Sequence, residues 1–113
     1  MEYENPSIDS YTIYSKNGCP FCTKAKNLLK SEKVTVIDCD EYLIEDKPGF
    51  LEYMKNMIGR EYKMFPMIFK KGVFIGGFTE LYTLINKNVN SNILHSKSLN
   101  EIEQKQNDFP NIL

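Results

Sequence analysis

The stretch Tyr11-Thr12-Ile13-Tyr14-Ser15-Lys16-Asn17-Gly18-Cys19-Pro20-Phe21-Cys22 decides how this chain folds. Tyr11 to Tyr14 are β-branched or aromatic and read as a strand. Asn17-Gly18 breaks it. From Pro20 the apolar positions switch to helical spacing: Cys22, Ala25 and Leu29 form one stripe, Leu28 widens it, and a helix is expected to about Glu32. Two thiols, two residues apart, therefore fall where a strand hands over to a helix. In the first helical turn the backbone N–H groups point outward and the positive end of the macrodipole lies nearby. That setting favours a thiolate, and in such motifs the thiol pKa falls to roughly 3.5–7.5. Cys22, one turn on, is near enough to attack a mixed disulfide formed at Cys19. Pro20 suits the first helical position, where its missing N–H costs nothing. A redox pair is the favoured reading; half of a zinc site and a purely structural disulfide are the alternatives. Zinc takes four ligands, and the chain offers only Cys39 and His95 besides, neither with paired spacing.

The rest of the composition narrows the class. A chain of 113 residues can bury one modest core, so a single domain is expected. The formal net charge of −1 gives no overall pull toward nucleic acid or an anionic membrane. Three cysteines, one left over, do not make a secreted disulfide framework. The opening MEYENPSIDS is acidic and polar, unlike a signal peptide, and no apolar run approaches the roughly 18 residues of a membrane span. A reducing, cytoplasmic compartment is the expectation. Charge is distributed unevenly. From Ser10 to Glu32 the bases are Lys16, Lys24, Lys26 and Lys30, and the only acid is Glu32 at the far end. From Ile37 to Leu51 the acids are Asp38, Asp40, Glu41, Glu45 and Asp46, against Lys47 alone. The thiol pair thus sits in a locally positive stretch. A solvated helix face accounts for Lys24, Lys26 and Lys30; Lys16, just before the motif, is within reach of Cys19 or an anionic ligand.

Further along, Val34-Thr35-Val36-Ile37 reads as a second strand and Asp38 to Lys47 as an acidic loop. Pro48 is expected to start a helix with Phe50, Leu51, Met54, Met57 and Ile58 on its apolar face, stopped by Gly59. Met67-Ile68-Phe69 and Val73-Phe74-Ile75 flank Lys70-Lys71-Gly72 as a hairpin. Gly76-Gly77 breaks the strand, and Thr79 is placed as the cap of a helix to about Lys87, with Leu81, Leu84 and Ile85 inward. The order β-α-β-α-β-β-α describes an α/β fold: a small four-stranded mixed sheet, its first two strands parallel through a right-handed crossover, flanked by helices. Residues 1–9 read as a flexible N-terminal lead, 10–95 as the domain, and 96–113 as a polar extension. Ser98-Leu99-Asn100-Glu101 fits a capping box for a short last helix that Phe109-Pro110 would end.

Three landmarks now stand in order: CPFC after the first strand, Phe65-Pro66 before the third, and Gly76-Gly77 after the fourth. Together they resemble the glutaredoxin family of the thioredoxin-like fold, over Thr12 to Lys87. Tyr14 to Cys22 looks like the family's active-site signature, in which CPYC is the commonest dithiol form. Ile75-Gly76-Gly77-Phe78-Thr79-Glu80-Leu81 looks like its second signature. The resemblance implies a glutathione-dependent thiol–disulfide oxidoreductase with glutathione as co-substrate and no metal. Its implied partners are glutathione and glutathionylated or disulfide-containing proteins, with ribonucleotide reductase a common family client; nucleic acid, membrane and oligomerisation are not implied. Carried over by position, Cys19 is the nucleophile, Cys22 the resolving thiol, and the two form the redox-active disulfide. Lys16 assists the thiolate and meets the glycyl carboxylate. Phe21 lines the groove, and Lys63 holds the same carboxylate as Lys16. Phe65, before a cis Pro66, lends backbone bonds to an extended peptide. Gly77, Phe78, Thr79 and Glu80 hold the γ-glutamyl end, at a helix N-terminus that favours an anion.

The chain departs from the family pattern in places. Phe21 lacks the usual tyrosine hydroxyl. Met64-Phe65-Pro66 stands where Thr-Val-Pro is usual, and Thr79 where an Asp is common. Arg60-Glu61-Tyr62 forms a small extension before Lys63. A thioredoxin-like protein served by a flavoprotein reductase is the first rival; such proteins typically carry CGPC with a neighbouring Trp, and this chain has no Trp. An iron–sulfur-binding module is the second, disfavoured by Pro20 and bulky Phe21. Cys39 reads as a small buried thiol.

Overall fold

In the computed structural model, which describes residues 2–96, the chain runs β1 (Tyr11–Ser15), α1 (Pro20–Leu28), β2 (Val34–Asp38), α2 (Asp40–Ile58), β3 (Met67–Lys70), β4 (Val73–Gly76) and α3 (Phe78–Ser96). The strands form one four-stranded sheet in the order β2-β1-β3-β4. β1 pairs parallel to β2 from Tyr11↔Val34 to Ser15↔Asp38 and antiparallel to β3 from Tyr11↔Lys70 to Tyr14↔Met67. β3 and β4 close an antiparallel hairpin through Lys71 (φ 50°) and Gly72 (φ 82°), two successive left-handed residues of the kind a two-residue hairpin turn requires. This is the thioredoxin-like architecture expected from the sequence. By contacts the chain divides into two units, Met1–Tyr82 and Thr83–Leu113. The sheet, α1, α2 and the start of α3 belong to the first. The capping box at Ser98–Glu101 and the Phe109-Pro110 stop lie outside the described residues.

Side chains alternate across the sheet. Tyr14, Met67 and Phe69 face one way and join Ile37, Cys39 and the α2 residues Phe50 and Met54 in one buried cluster. Ile13 and Ile68, on the opposite face, are fully buried, as are Ala25 and Leu29 of the α1 segment and Leu81 of α3. Each large side chain withdrawn from water in this way contributes about 1.5–3 kcal/mol. The α1 stripe of Cys22, Ala25 and Leu29 is buried as its spacing predicts.

Three helices and the N-terminal lead differ from the sequence reading. α1 stops at Leu28, because Leu29 caps it and the Lys30 and Glu32 N–H groups turn back onto Asn27 and Leu29. The expected acidic loop is half helix: α2 begins at Asp40 and bends at Asp46 (φ −160°, ψ 75°). Asp40 and Glu41 favour that start by lying at the positive helix end. At the bend Asp46 Oδ1 accepts the Gly49 N–H (3.1 Å), so Pro48 sits in the first turn of a restarted helix, where proline is tolerated. α3 starts at Phe78, one residue before Thr79, and continues to Ser96. Its cap is made by Glu80, whose Oε1 accepts the Gly77 N–H at 2.8 Å. Finally, the N-terminal lead has neither helix nor strand, yet it is docked. Tyr3 packs edge-on to Tyr42 and Phe50, and Glu4 carries the bond that Tyr14 needs: the buried phenol donates to its carbonyl at 2.7 Å. A hydroxyl taken out of water without such an acceptor is costly.

Candidate active site

Cys19 caps α1 in an extended conformation, and its sulfur lies 3.2 Å from the Cys22 N–H. The Cys19 carbonyl accepts from Cys22 and Thr23 at 3.1 and 3.2 Å, which starts the helix directly behind the thiol pair. Cys19 and Cys22 are joined as a disulfide with their Cα atoms 5.2 Å apart. The two sulfurs are not equivalent. Cys22 is 1% exposed on the buried stripe of α1, whereas Cys19 reaches the surface.

Cys19 lines a hollow of about 350 Å³ with Lys16, Thr23, Lys26, Asp38 and Asp40. Asp40 is engaged there by the Asn17 N–H (2.9 Å), which holds the loop ahead of the motif. Beyond the motif a groove of about 240 Å³ is lined by Phe21, Tyr62, Met64, Phe65, Pro66, Gly77, Phe78, Thr79 and Glu80. The Phe65–Pro66 peptide bond is cis. The β1–β3 ladder begins only at Tyr14↔Met67, so Phe65 lies beyond it. Lys16 links hollow and groove, its ammonium 5.4 Å from the centre of the Phe65 ring. At the other end Gly77 forms the floor: a Cβ added there would lie 3.2 Å from the Tyr62 hydroxyl and 3.5 Å from the Pro66 carbonyl. The groove thus accepts an extended backbone where a side chain on Gly77 would intrude.

The fold therefore gathers Phe21, Phe65, Pro66, Gly77, Phe78, Thr79 and Glu80 into one groove, while Cys19 and Lys16 line the hollow from which Lys16 reaches the Phe65 ring. Lys63 is not among them. It is exposed and lines a separate hollow of about 350 Å³ with Lys47 and Lys55. Tyr62, which touches both, is the residue that sequence reasoning passed over, because it lies in a short segment with no periodicity. Its ring packs on Phe74 (4.9 Å) under the Arg60 guanidinium (5.2 Å). Burial first, then the Glu80 carboxylate, pushes its hydroxyl above the usual phenol range, while Arg60 pulls the other way. Cys39 is fully buried and unpaired, and burial pushes its thiol up to about 12. Among the described residues no cluster of three His, Cys, Asp or Glu side chains could hold a metal ion.

Comparison with known proteins gives the same picture. The family model for glutaredoxin matches residues 11–75. A glutaredoxin of Neisseria meningitidis is 35% identical over 77 residues, 68% of this chain and 86% of the relative. The bovine mitochondrial glutaredoxin-2 is 35% identical over 83 residues, 72% of this chain but 50% of that longer protein. Among solved structures, glutaredoxin 1 from Francisella tularensis, complexed with cacodylate, superposes with a TM-score of 0.60 at 30% identity, over 71% of this chain and 95% of that one.

Proposed function

This chain belongs to the glutaredoxin family of thiol–disulfide oxidoreductases, and from that premise we propose that it reduces protein–glutathione mixed disulfides and protein disulfides at the expense of glutathione. The observation that carries the roles is the asymmetry of the thiol pair: an accessible Cys19 at the helix cap and a buried Cys22 one turn behind it. In the monothiol route, reduced Cys19 as thiolate attacks the glutathione sulfur of a protein–glutathione disulfide. The protein leaves as its thiolate and takes a proton, and Cys19 carries the glutathionyl group. The thiolate of a second glutathione attacks that sulfur, giving glutathione disulfide and restoring the Cys19 thiolate. In the dithiol route Cys19 opens a protein disulfide, and the Cys22 thiolate attacks the Cys19 sulfur and displaces the bound protein. The Cys19–Cys22 bond that results is the one present here, and two glutathiones reset it. Exchange of this kind needs a thiolate attacker and a good leaving thiol.

Glutathione suits the groove as an extended peptide: the Phe65 backbone beside its cysteinyl part, Lys16 near the glycyl carboxylate, and the Gly77–Glu80 turn at the γ-glutamyl end. Lys63, in the neighbouring hollow, lies outside that groove. The Thr79 hydroxyl, together with the Glu80 carboxylate at the groove end, supplies polar contacts where an Asp is usual in the family. The protein works as a monomer in a reducing compartment such as the cytoplasm, a setting that fits the unpaired Cys39 and an accessible thiol that must be returned to its reduced state. The family's client proteins, ribonucleotide reductase included, are candidate substrates.

The test is glutathione-coupled reduction of a small mixed disulfide by the wild type, Cys19→Ser and Cys22→Ser. Cys19→Ser should be inactive. Cys22→Ser should keep deglutathionylation and lose the reduction of protein disulfides. A Cys22→Ser variant that loses both activities contradicts the assigned roles.

A further inference from the structure

The redox motif opens onto a surface with two properties at once. Phe21, Phe78 and Tyr82 form a continuous aromatic strip, with ring centres 5.8 Å apart at each step. It is solvent-facing: Phe21 is 51% exposed and Tyr82 38%. Large exposed aromatics in a row are uncommon on a surface that meets only water. The strip starts on α1, which carries no acidic residue; its Lys26 turns away into the hollow with Asp38 and Asp40, whereas Lys24 stands beside the strip. The Lys24 ammonium lies 5.0 Å from the centre of the Phe21 ring, which ties one positive charge to the strip itself. Among the described residues the one ion pair within 4.0 Å is Lys33–Asp9, so Lys24 is not paired with a carboxylate of its own domain.

The acids near the site are placed differently and are already engaged. Asp38 and Asp40 lie on the β2 side of Cys19. Asp38 Oδ1 accepts the Asp40 N–H at 3.0 Å and Asp40 Oδ1 accepts that of Asn17 at 2.9 Å. Glu80 caps α3 through the Gly77 N–H at 2.8 Å. A substrate approaching over Phe21 therefore meets the Lys24 charge and the aromatic surface together.

We propose that this face is the docking surface for the protein substrate, and that it selects a segment whose reactive cysteine is flanked by a bulky apolar residue and by acidic side chains. The apolar residue lies on the Phe21–Phe78–Tyr82 strip, and a carboxylate faces Lys24. This inference rests on the oxidoreductase reading and adds to it the kind of substrate preferred. Complementary charge of this sort acts chiefly on the rate of encounter and on discrimination between partners, and salt screens it.

The experiment uses two synthetic peptides, each with one glutathionylated cysteine next to a leucine, flanked either by three glutamates or by three lysines. The readout is the ratio of kcat/KM for the acidic peptide to that for the basic one, in which any change in the reactivity of the Cys19 thiol cancels. At low salt the ratio should be about 10, and it should fall below about 2 in 0.5 M NaCl. A Lys24→Glu variant should lower it at least threefold, while reduction of a small neutral mixed disulfide stays near the wild-type rate. A ratio near one at low salt, a preference for the basic peptide, or a ratio that ignores both salt and Lys24→Glu overturns the proposal. A wild type inactive on the small neutral disulfide overturns instead the oxidoreductase reading beneath it.

Discussion

Gly76→Ala and Gly77→Ala each add one methyl group at the head of α3, and the structure predicts two different outcomes. Gly76 has φ +134°, a conformation that costs an L-residue about 1–3 kcal/mol. A Cβ there would also lie 2.7 Å from Glu80 Cγ and 2.9 Å from its Oε1. Glu80 can swing away only by releasing the Gly77 N–H that it holds at 2.8 Å. Bonds to charged groups contribute about 1.5–3 kcal/mol, and water recovers part of this because Glu80 is exposed. Gly76→Ala should therefore lose about 2–4 kcal/mol of stability. Gly77 carries no left-handed strain. Its added Cβ would stand 3.2 Å from the Tyr62 hydroxyl, the far end of a side chain that can yield a few tenths of an ångström. The loss there is that of glycine against alanine at a helix cap, under about 1 kcal/mol. The methyl would, however, stand on the floor of the groove where a ligand backbone approaches. Urea unfolding measures the first effect and steady-state kinetics the second: Gly77→Ala should raise the KM for glutathione about 10-fold, with alkylation of reduced Cys19 by iodoacetamide unchanged. Equal destabilisation by the two variants, or an unaltered KM in Gly77→Ala, would refute this account of the turn.

Two further expectations concern the core. Burial foremost, with Asp38 and Asp40 adding to it against a backbone hydrogen bond at Ser15, pushes the Cys39 thiol from an ordinary 9.0 up to about 12. A folded pKa above the unfolded one means that stability is complete below about pH 9 and falls as the pH climbs toward 12. Tyr14, whose hydroxyl burial also raises, adds a loss of the same sign from about pH 10. Unfolding of oxidised protein between pH 8 and 11 should thus show a shallower decline in Cys39→Ser than in wild type, and identical slopes would contradict the buried-thiol description. Tyr14→Phe removes the bond to the Glu4 carbonyl, which keeps only the longer Tyr53 contact at 3.4 Å. It should cost about 1–2 kcal/mol and expose the first residues to proteolysis; a variant as stable as wild type and equally resistant would mean that the docked lead contributes nothing.

The strand, the Asn17-Gly18 break and the α1 stripe were legible because each is written in adjacent residues whose periodicity changes where the backbone does. The hairpin was legible for the same reason, since Lys71-Gly72 can adopt the paired left-handed turn. What escaped was decided by tertiary contact. In Asp40 to Glu45 the apolar residues Tyr42, Leu43 and Ile44 are consecutive rather than helically spaced and show no stripe; the segment starts a helix where the Asp38 carboxylate, at the end of β2, takes the Asp40 N–H. Thr79 is a good cap by type, but the helix begins one residue earlier and Glu80 reaches back instead. The docking of Tyr3 and Glu4 follows from the burial of the Tyr14 hydroxyl, which the alternation of β1 places inside without naming its acceptor.

The site divides along the same line. Its reactive half is local: the Cys19 cap, Pro20 and Cys22 lie within one turn, so the redox chemistry could be read from four residues. Its binding half is assembled from Phe21 on α1, Tyr62 to Pro66 before β3, and Gly77 to Glu80 at the start of α3. These segments meet because β3 pairs beside β1 and β4 returns the chain to the same end. Landmarks with unusual backbones, Pro66 and the glycine pair, marked where two of the segments lie. Side chains with ordinary backbones, Tyr62 and Lys63, carried no such mark, and the same loop sends Tyr62 into the groove and Lys63 outside it. Specificity in this fold is therefore most open to change in the loop before the cis-proline, where a substitution alters the groove wall without disturbing the thiol pair or the sheet.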